Sequence, residues 1–107
     1  MRFARYEYQG RTRDGVLAMT KHLCAAGGAF GIRANAILPG LIYTPETARF
    51  IDDPDGPLPS ILAKIPLGRY GHADEVAKLA AFLASDDAAF ITGAEIAIDG
   101  GDGAVAA

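Results

Sequence analysis

From residue 14 the apolar positions fall at helical spacing. In "DGVLAMTKHLCAAGGAF", Val16, Leu17, Leu23 and Cys24, with Thr20 among them, recur at three- and four-residue steps and share one face. Asp14 stands at the first turn as a cap or first-turn acid. Gly27 and Gly28 weaken the helix by about 1 kcal/mol each relative to Ala, and Gly31 is the expected stop. The pattern then changes to a short, nearly continuous apolar run, "IRANAIL", over residues 32 to 38. Such runs suit a parallel strand covered on both faces, and Pro39 ends it.

Residues 41 to 66 hold Pro45, Pro54, Pro57, Pro59 and Pro66, which forbid a long helix. Short helical pieces are expected at 45–51 and 57–64, inside a lid-like loop over 45–65. "HADEVAKLAAFLAS" is the clearest helix: Val76, Leu79, Ala80 and Leu83 make its buried face, and Asp74 and Glu75 suit its first turn. "AEIAIDGG" alternates, with Ile96 and Ile98 on one side of a strand over 94–98, and the tail 102–107 is read as frayed. The order helix, strand, irregular lid, helix, strand predicts an α/β fold with parallel strands. Two parallel strands, two main helices and a lid make only part of a doubly wound, Rossmann-like domain. The open sheet edge this leaves points to part of a larger sheet or to an obligate assembly.

Composition narrows the chemistry. The 107 residues are 50% hydrophobic and 21% charged, which is globular rather than disordered. The net charge of −3 argues against a nucleic-acid partner. Charge is uneven: residues 1–13 carry four arginines against one glutamate, while the remainder carries six basic and twelve acidic groups. That break sets residues 1–13 apart as a basic amino-terminal segment. Cys24 has no disulfide partner, so a reducing compartment and a cytoplasmic location are expected. His22 and His72 are far apart in sequence, and no Cys/His spacing suits a metal. Asp52, Asp53 and Asp55 lack the order and closing Glu of a calcium loop and read as a solvated rim. No stretch approaches the roughly 20 apolar residues of a membrane span.

Four segments, "GVLAMTKHL", "GIRANAILPGLIYTP", "PLGRYGHADEVAKLAAFLASDDAAFITG" and "IAIDGG", stand in the order and spacing of one family. Residues 14–101 thereby resemble the carboxyl-terminal half of a classical short-chain dehydrogenase/reductase. The resemblance implies a Rossmann-type domain that binds NAD or NADP and moves hydride to or from an alcohol or carbonyl carbon. It places Pro39, Gly40, Ile42 and Thr44 in the turn beside the nicotinamide, with backbone groups around Ile42 meeting the carboxamide and the Thr44 hydroxyl offered to the carboxamide or pyrophosphate.

Other family features are not matched. The glycine-rich turn that seats a pyrophosphate after the first strand has no counterpart, because Gly27, Gly28 and Gly31 end a helix instead of opening one. Residues 1–13 are read as not matching the family: its Tyr and Lys positions fall on Gln9 and Arg13. Gln9 has no titrating proton, Arg13 differs in shape from Lys, and Tyr8 sits one residue off, a rotation of roughly 100° on a helix. The catalytic Ser has no counterpart either, so no catalytic residue is assigned. The expectation is a truncated family member, inactive as an isolated chain. The alternative is a non-catalytic module that pairs with itself or with an intact family member. Asn35 is expected to fix backbone near its strand, and Arg69 to tie the lid to the helix that follows.

Overall fold

The computed structural model describes residues 10–105, and side chains from residue 14. Gln9, with Tyr6 and Tyr8, lies outside the described residues. The elements in order are α1 (Gly10–Gly27), β1 (Ala36–Pro39), β2 (Ile42–Tyr43), α2 (Ala48–Ile51), α3 (Leu58–Leu62), β3 (Gly71–His72), α4 (Ala73–Ala84), β4 (Glu95–Ile98) and α5 (Asp102–Val105). β1 pairs with β4, and β2 pairs with β3. Both pairs are parallel: Ala36 and Gly40 donate in step to the carbonyls of Ala94 and Ile98, and Ile42 and Tyr43 stand opposite Gly71 and His72. The expected α/β architecture is present, and β2–β3 is an addition that the apolar pattern did not predict.

The described residues form two compact units, divided after Leu38, Ala81 and Ile96. In the first unit, α1 ends in a single 3₁₀ turn over Gly28–Phe30, closed by Gly31 at φ 72°. Only a residue without a Cβ adopts that conformation freely, so Gly31 is the stop that its position predicts. The strand is shorter than the apolar run. Over residues 32–35 side chains replace the ladder: the Ala34 N–H goes to the Thr92 hydroxyl, and the Asn35 amide donates to the Ile91 carbonyl and accepts the Ala94 N–H, each at 3.0 Å. Asn35 thus imitates a ladder residue and fixes the β1–β4 register. The Arg33 guanidinium closes the same region by donating to the carbonyls of Leu83 (2.6 Å), Ser85 (3.2 Å) and Ile91 (3.3 Å).

The core of this unit is thin. Thr20, Ala36, Leu83 and Ala88 are buried, whereas Met19 and Leu23 on α1 are about half exposed and Phe90 is fully exposed. The apolar face predicted for α1 is partly covered: Thr20 is buried, Val16, Leu17 and Cys24 are half-buried, and Leu23 is exposed. Helices of this length draw most of their stability from packing an apolar face.

The second unit is centred on buried Ile51 and Ile65. Its prolines divide residues 45–65 into α2 and α3, as their spacing predicts, with Pro59 inside the first turn of α3. Residues 102–105, read as part of a frayed tail, form the short helix α5. Both oxygens of Asp99 accept backbone N–H groups, from Gly101 and Gly103, at 2.9 Å each. That double cap starts α5, and Gly100 and Gly101 supply the positive φ that the turn needs.

Candidate functional site

The turn after β1 lies wholly in the second unit. Gly40 fits there because nothing larger can: a Cβ on it would lie 2.6 Å from the Asp99 Cβ and 2.8 Å from the Asp99 Cα. The Gly40 N–H donates to the Ile98 carbonyl at 3.0 Å. Pro39 therefore delivers the chain into a turn pressed backbone to backbone against the end of β4. Beyond it, Leu41 accepts the Gly71 N–H at 2.8 Å. Ladder alternation then turns the N–H and C=O of Ile42 away from β3. The Ile42 carbonyl takes the Thr47 hydroxyl at 2.7 Å.

Thr44 and Thr47 lock this turn reciprocally. The Thr44 N–H donates to the Thr47 hydroxyl at 2.8 Å, and the Thr47 N–H donates to the Thr44 hydroxyl at 3.2 Å. Thr44 caps the turn leading into α2, and Pro45 follows at the position where a missing N–H costs least. Thr47 escaped the sequence reading. Its signal was the spacing Thr-Pro-x-Thr, a hydroxyl pair three residues apart ahead of a helix. Pro39, Gly40, Ile42 and Thr44 thus come together in one preformed turn, with the Thr44 hydroxyl engaged within the chain.

An open cleft of about 190 Å³ adjoins it, lined by Leu41, Ile42, Arg69, Gly71, Glu75 and Asp99 among others. That is below the roughly 300–1,000 Å³ of small-molecule sites. The base of the lid is fastened here: Arg69 forks onto Glu75 at 3.1 and 2.8 Å, and the His72 N–H donates to Glu75 at 2.8 Å. This is the carboxylate half of a capping box on α4, and it is the tie expected of Arg69. Arg69 first, then the His72 N–H, hold the Glu75 carboxyl at about 2, below its ordinary 4.5, against the opposing effect of burial. On the lid side the Tyr43 hydroxyl donates to Asp52 at 2.7 Å, which raises the phenol above its ordinary value. Tyr70 contacts Tyr43 in a tilted pair and His72 edge-to-face, with centroids 5.7 and 5.6 Å apart.

Glu75 gives a pH signature. Its folded pKa is depressed, so its contribution is complete above the ordinary carboxylate range and fades as pH falls from about 4.5 toward 2. Urea midpoints measured between pH 6 and pH 2 should fall less steeply for Glu75→Gln than for the parent chain. Parallel curves would show that the fork contributes nothing.

A dinucleotide also needs a strand that runs through a glycine-rich turn into a helix N-terminus. Among the described residues, β3 runs directly into α4, whose first turn carries Asp74 and Glu75. Negative charge there opposes a phosphate. Gly27, Gly28 and Gly31 close a helix end. The described residues thus hold a preformed turn after β1, while the glycine-rich turn after β4 leads only into the four-residue α5, whose start is capped by Asp99. The described residues also contain no cluster of His, Cys, Asp and Glu suited to a metal, and no helix long and apolar enough to cross a membrane.

A sequence model of the family described as Enoyl-(Acyl carrier protein) reductase matches residues 1–102. Over 90 residues the chain is 42% identical to a 3-oxoacyl-(acyl-carrier-protein) reductase of Thermotoga maritima, covering 84% of this chain and 35% of that enzyme. A short-chain type dehydrogenase/reductase from Mycobacterium ulcerans superposes with a TM-score of 0.79 at 38% identity, over 87% of this chain and 34% of that one. A 4-hydroxyisoleucine dehydrogenase solved with NADH superposes with a TM-score of 0.81 at 30% identity, over 88% of this chain and 38% of that one. The chain belongs to the short-chain dehydrogenase/reductase family, and it spans about a third of the length of the curated relatives it matches. It is related by descent to the family's NAD(P)-dependent oxidoreductases.

Proposed function

We propose that these residues are one part of an NAD- or NADP-dependent oxidoreductase acting on an alcohol or carbonyl, and that the 107-residue chain alone neither holds the dinucleotide nor transfers hydride. The observation that carries this reading is the contrast between two ends of one cofactor. The turn that the family resemblance puts beside the nicotinamide is preformed, with Gly40 pressed on Asp99 and Thr44 locked to Thr47. The only strand-to-helix junction leading into a long helix among the described residues is acidic. Residues 14–101 supply the turn with its lid over 45–65; residues 1–13 place Gln9 and Arg13 where the family has its Tyr and Lys. With no phenol on the Gln9 position, the substrate oxygen has no proton donor there.

Titration of the purified chain with NADH and with NADPH tests this. The expected result is no saturable change in nicotinamide fluorescence below about 1 mM, an affinity weaker than roughly −4 kcal/mol. Saturable binding in the micromolar range would reject the reading.

A second reading, an assembly module pairing with itself or with an intact family member, is favoured by the exposed apolar side chains of the first unit. Phe30 is 81% exposed and Ile32 56%, more than an isolated soluble chain needs to show. Light scattering at micromolar concentration separates the two: a well-folded monomer removes the self-pairing form.

A further inference from the structure

Residues 53–64 sit differently from the chain on either side of them. Ile51 before the segment and Ile65 after it are buried, and no residue between them is. Leu58, Ile61 and Leu62 are half-buried, and the rest of the segment, Gly56 aside, is exposed. Its hydrogen bonds also turn inward. The N–H groups of Gly56, Ile61 and Ala63 donate to the carbonyls of Asp53, Pro57 and Pro59, and the Asp55 N–H donates to the Asp53 carboxylate. The chain rejoins the rest of its unit at Leu67, whose N–H donates to the Gly100 carbonyl at 3.1 Å. Within the segment α3 has five residues, too few to persist in water without a surface to pack on.

The front of the segment is tied by a side-chain pair. The start of α2 is held separately, by the Thr47 hydroxyl on the Ile42 carbonyl. Asp52 ends α2 and accepts the Tyr43 hydroxyl at 2.7 Å. Tyr43 is a firm post for this bond. It stands opposite His72 in the β2–β3 ladder, and its ring lies against Tyr70 with centroids 5.7 Å apart. The acceptor is a carboxylate, and charge-assisted bonds are the stronger kind. Asp53, next in the chain, is turned instead onto the Asp55 N–H.

We propose that the Tyr43–Asp52 pair is a latch on residues 53–64. While the phenol holds the carboxylate, Leu58, Ile61 and Leu62 stay packed and α3 persists. When the bond opens, the segment undocks between Asp52 and Ile65, and α3 melts with it. The latch stands apart from the cofactor reading, because it is tested without a nucleotide. Hydrogen exchange on the full 107-residue chain compares the parent with Tyr43→Phe, which keeps the ring and removes only the hydroxyl, and with Asp52→Ala. In either variant the amides of Gly56, Ile61 and Ala63 should exchange faster by a common factor of about ten, with Leu79 to Leu83 unchanged. The double variant should exchange no faster than the faster single one, since both substitutions remove the same bond. Unchanged exchange at Ile61 and Ala63 in Tyr43→Phe would overturn the latch. So would a rise shared equally by Leu79 to Leu83, which marks a general loss of stability, or additive effects of the two substitutions.

Discussion

Replacing Gly40 by alanine is expected to cost about 1–3 kcal/mol of folding stability, and replacing it by valine more. The added Cβ meets the Cβ and Cα of Asp99 at 2.6 and 2.8 Å. A backbone carbon cannot swing aside as a side-chain tip can. Asp99 is also fixed from its other side, since both carboxylate oxygens hold N–H groups of the turn into α5. Relief must come from moving the turn, which loosens the Gly40 N–H bond to Ile98. The control is Gly28→Ala, where nothing lies within 4 Å of the added carbon and φ is not positive; it should be neutral or slightly stabilising. Equal urea midpoints for the Gly40 variant and the parent would mean that the close approach is not there.

Arg33→Met should be comparably damaging. One guanidinium satisfies three carbonyls, those of Leu83, Ser85 and Ile91. Hydrogen bonds to a charged donor are worth about 1.5–3 kcal/mol, and for a domain of this size each kcal/mol moves Tm by roughly 4–8 °C. Arg33→Lys should recover little, because a single ammonium cannot span a planar fork. Full recovery by lysine in a thermal melt would reduce Arg33 to a local charge.

The same residues show how much was legible in the sequence. Periodicity found α1, α4 and β4, because each repeats its pattern at least twice, and a continuous apolar run found β1. The stop at Gly31 and the divided lid were legible because glycine and proline act through their own backbone chemistry. The pairing of β2 with β3 was not: two residues per strand leave no period to read, and the register depends on Leu41 meeting Gly71. Arg33 was silent because its three acceptors are main-chain carbonyls 50 or more residues away. Of the candidate site, Pro39, Gly40, Ile42 and Thr44 were legible through the family's spacing. The partners that shape the turn, Asp99 for Gly40 and Thr47 for Thr44, emerged only when the chain was folded.

On the function proposed above, these residues form one part of a larger sheet, with β1 inside it and not at its edge. Hydrogen exchange on a verified monomer reads this directly. Amides within α4 close their bonds inside one helix, whereas among the described residues β1 is held on one edge, through β4. Opening that single ladder exposes the strand, and local opening sets the exchange rate. Amides from Ala34 to Leu38 are expected to exchange much faster than those from Leu79 to Leu83. Equal, strong protection of both segments in the monomer would show β1 covered on both edges, and would contradict that expectation.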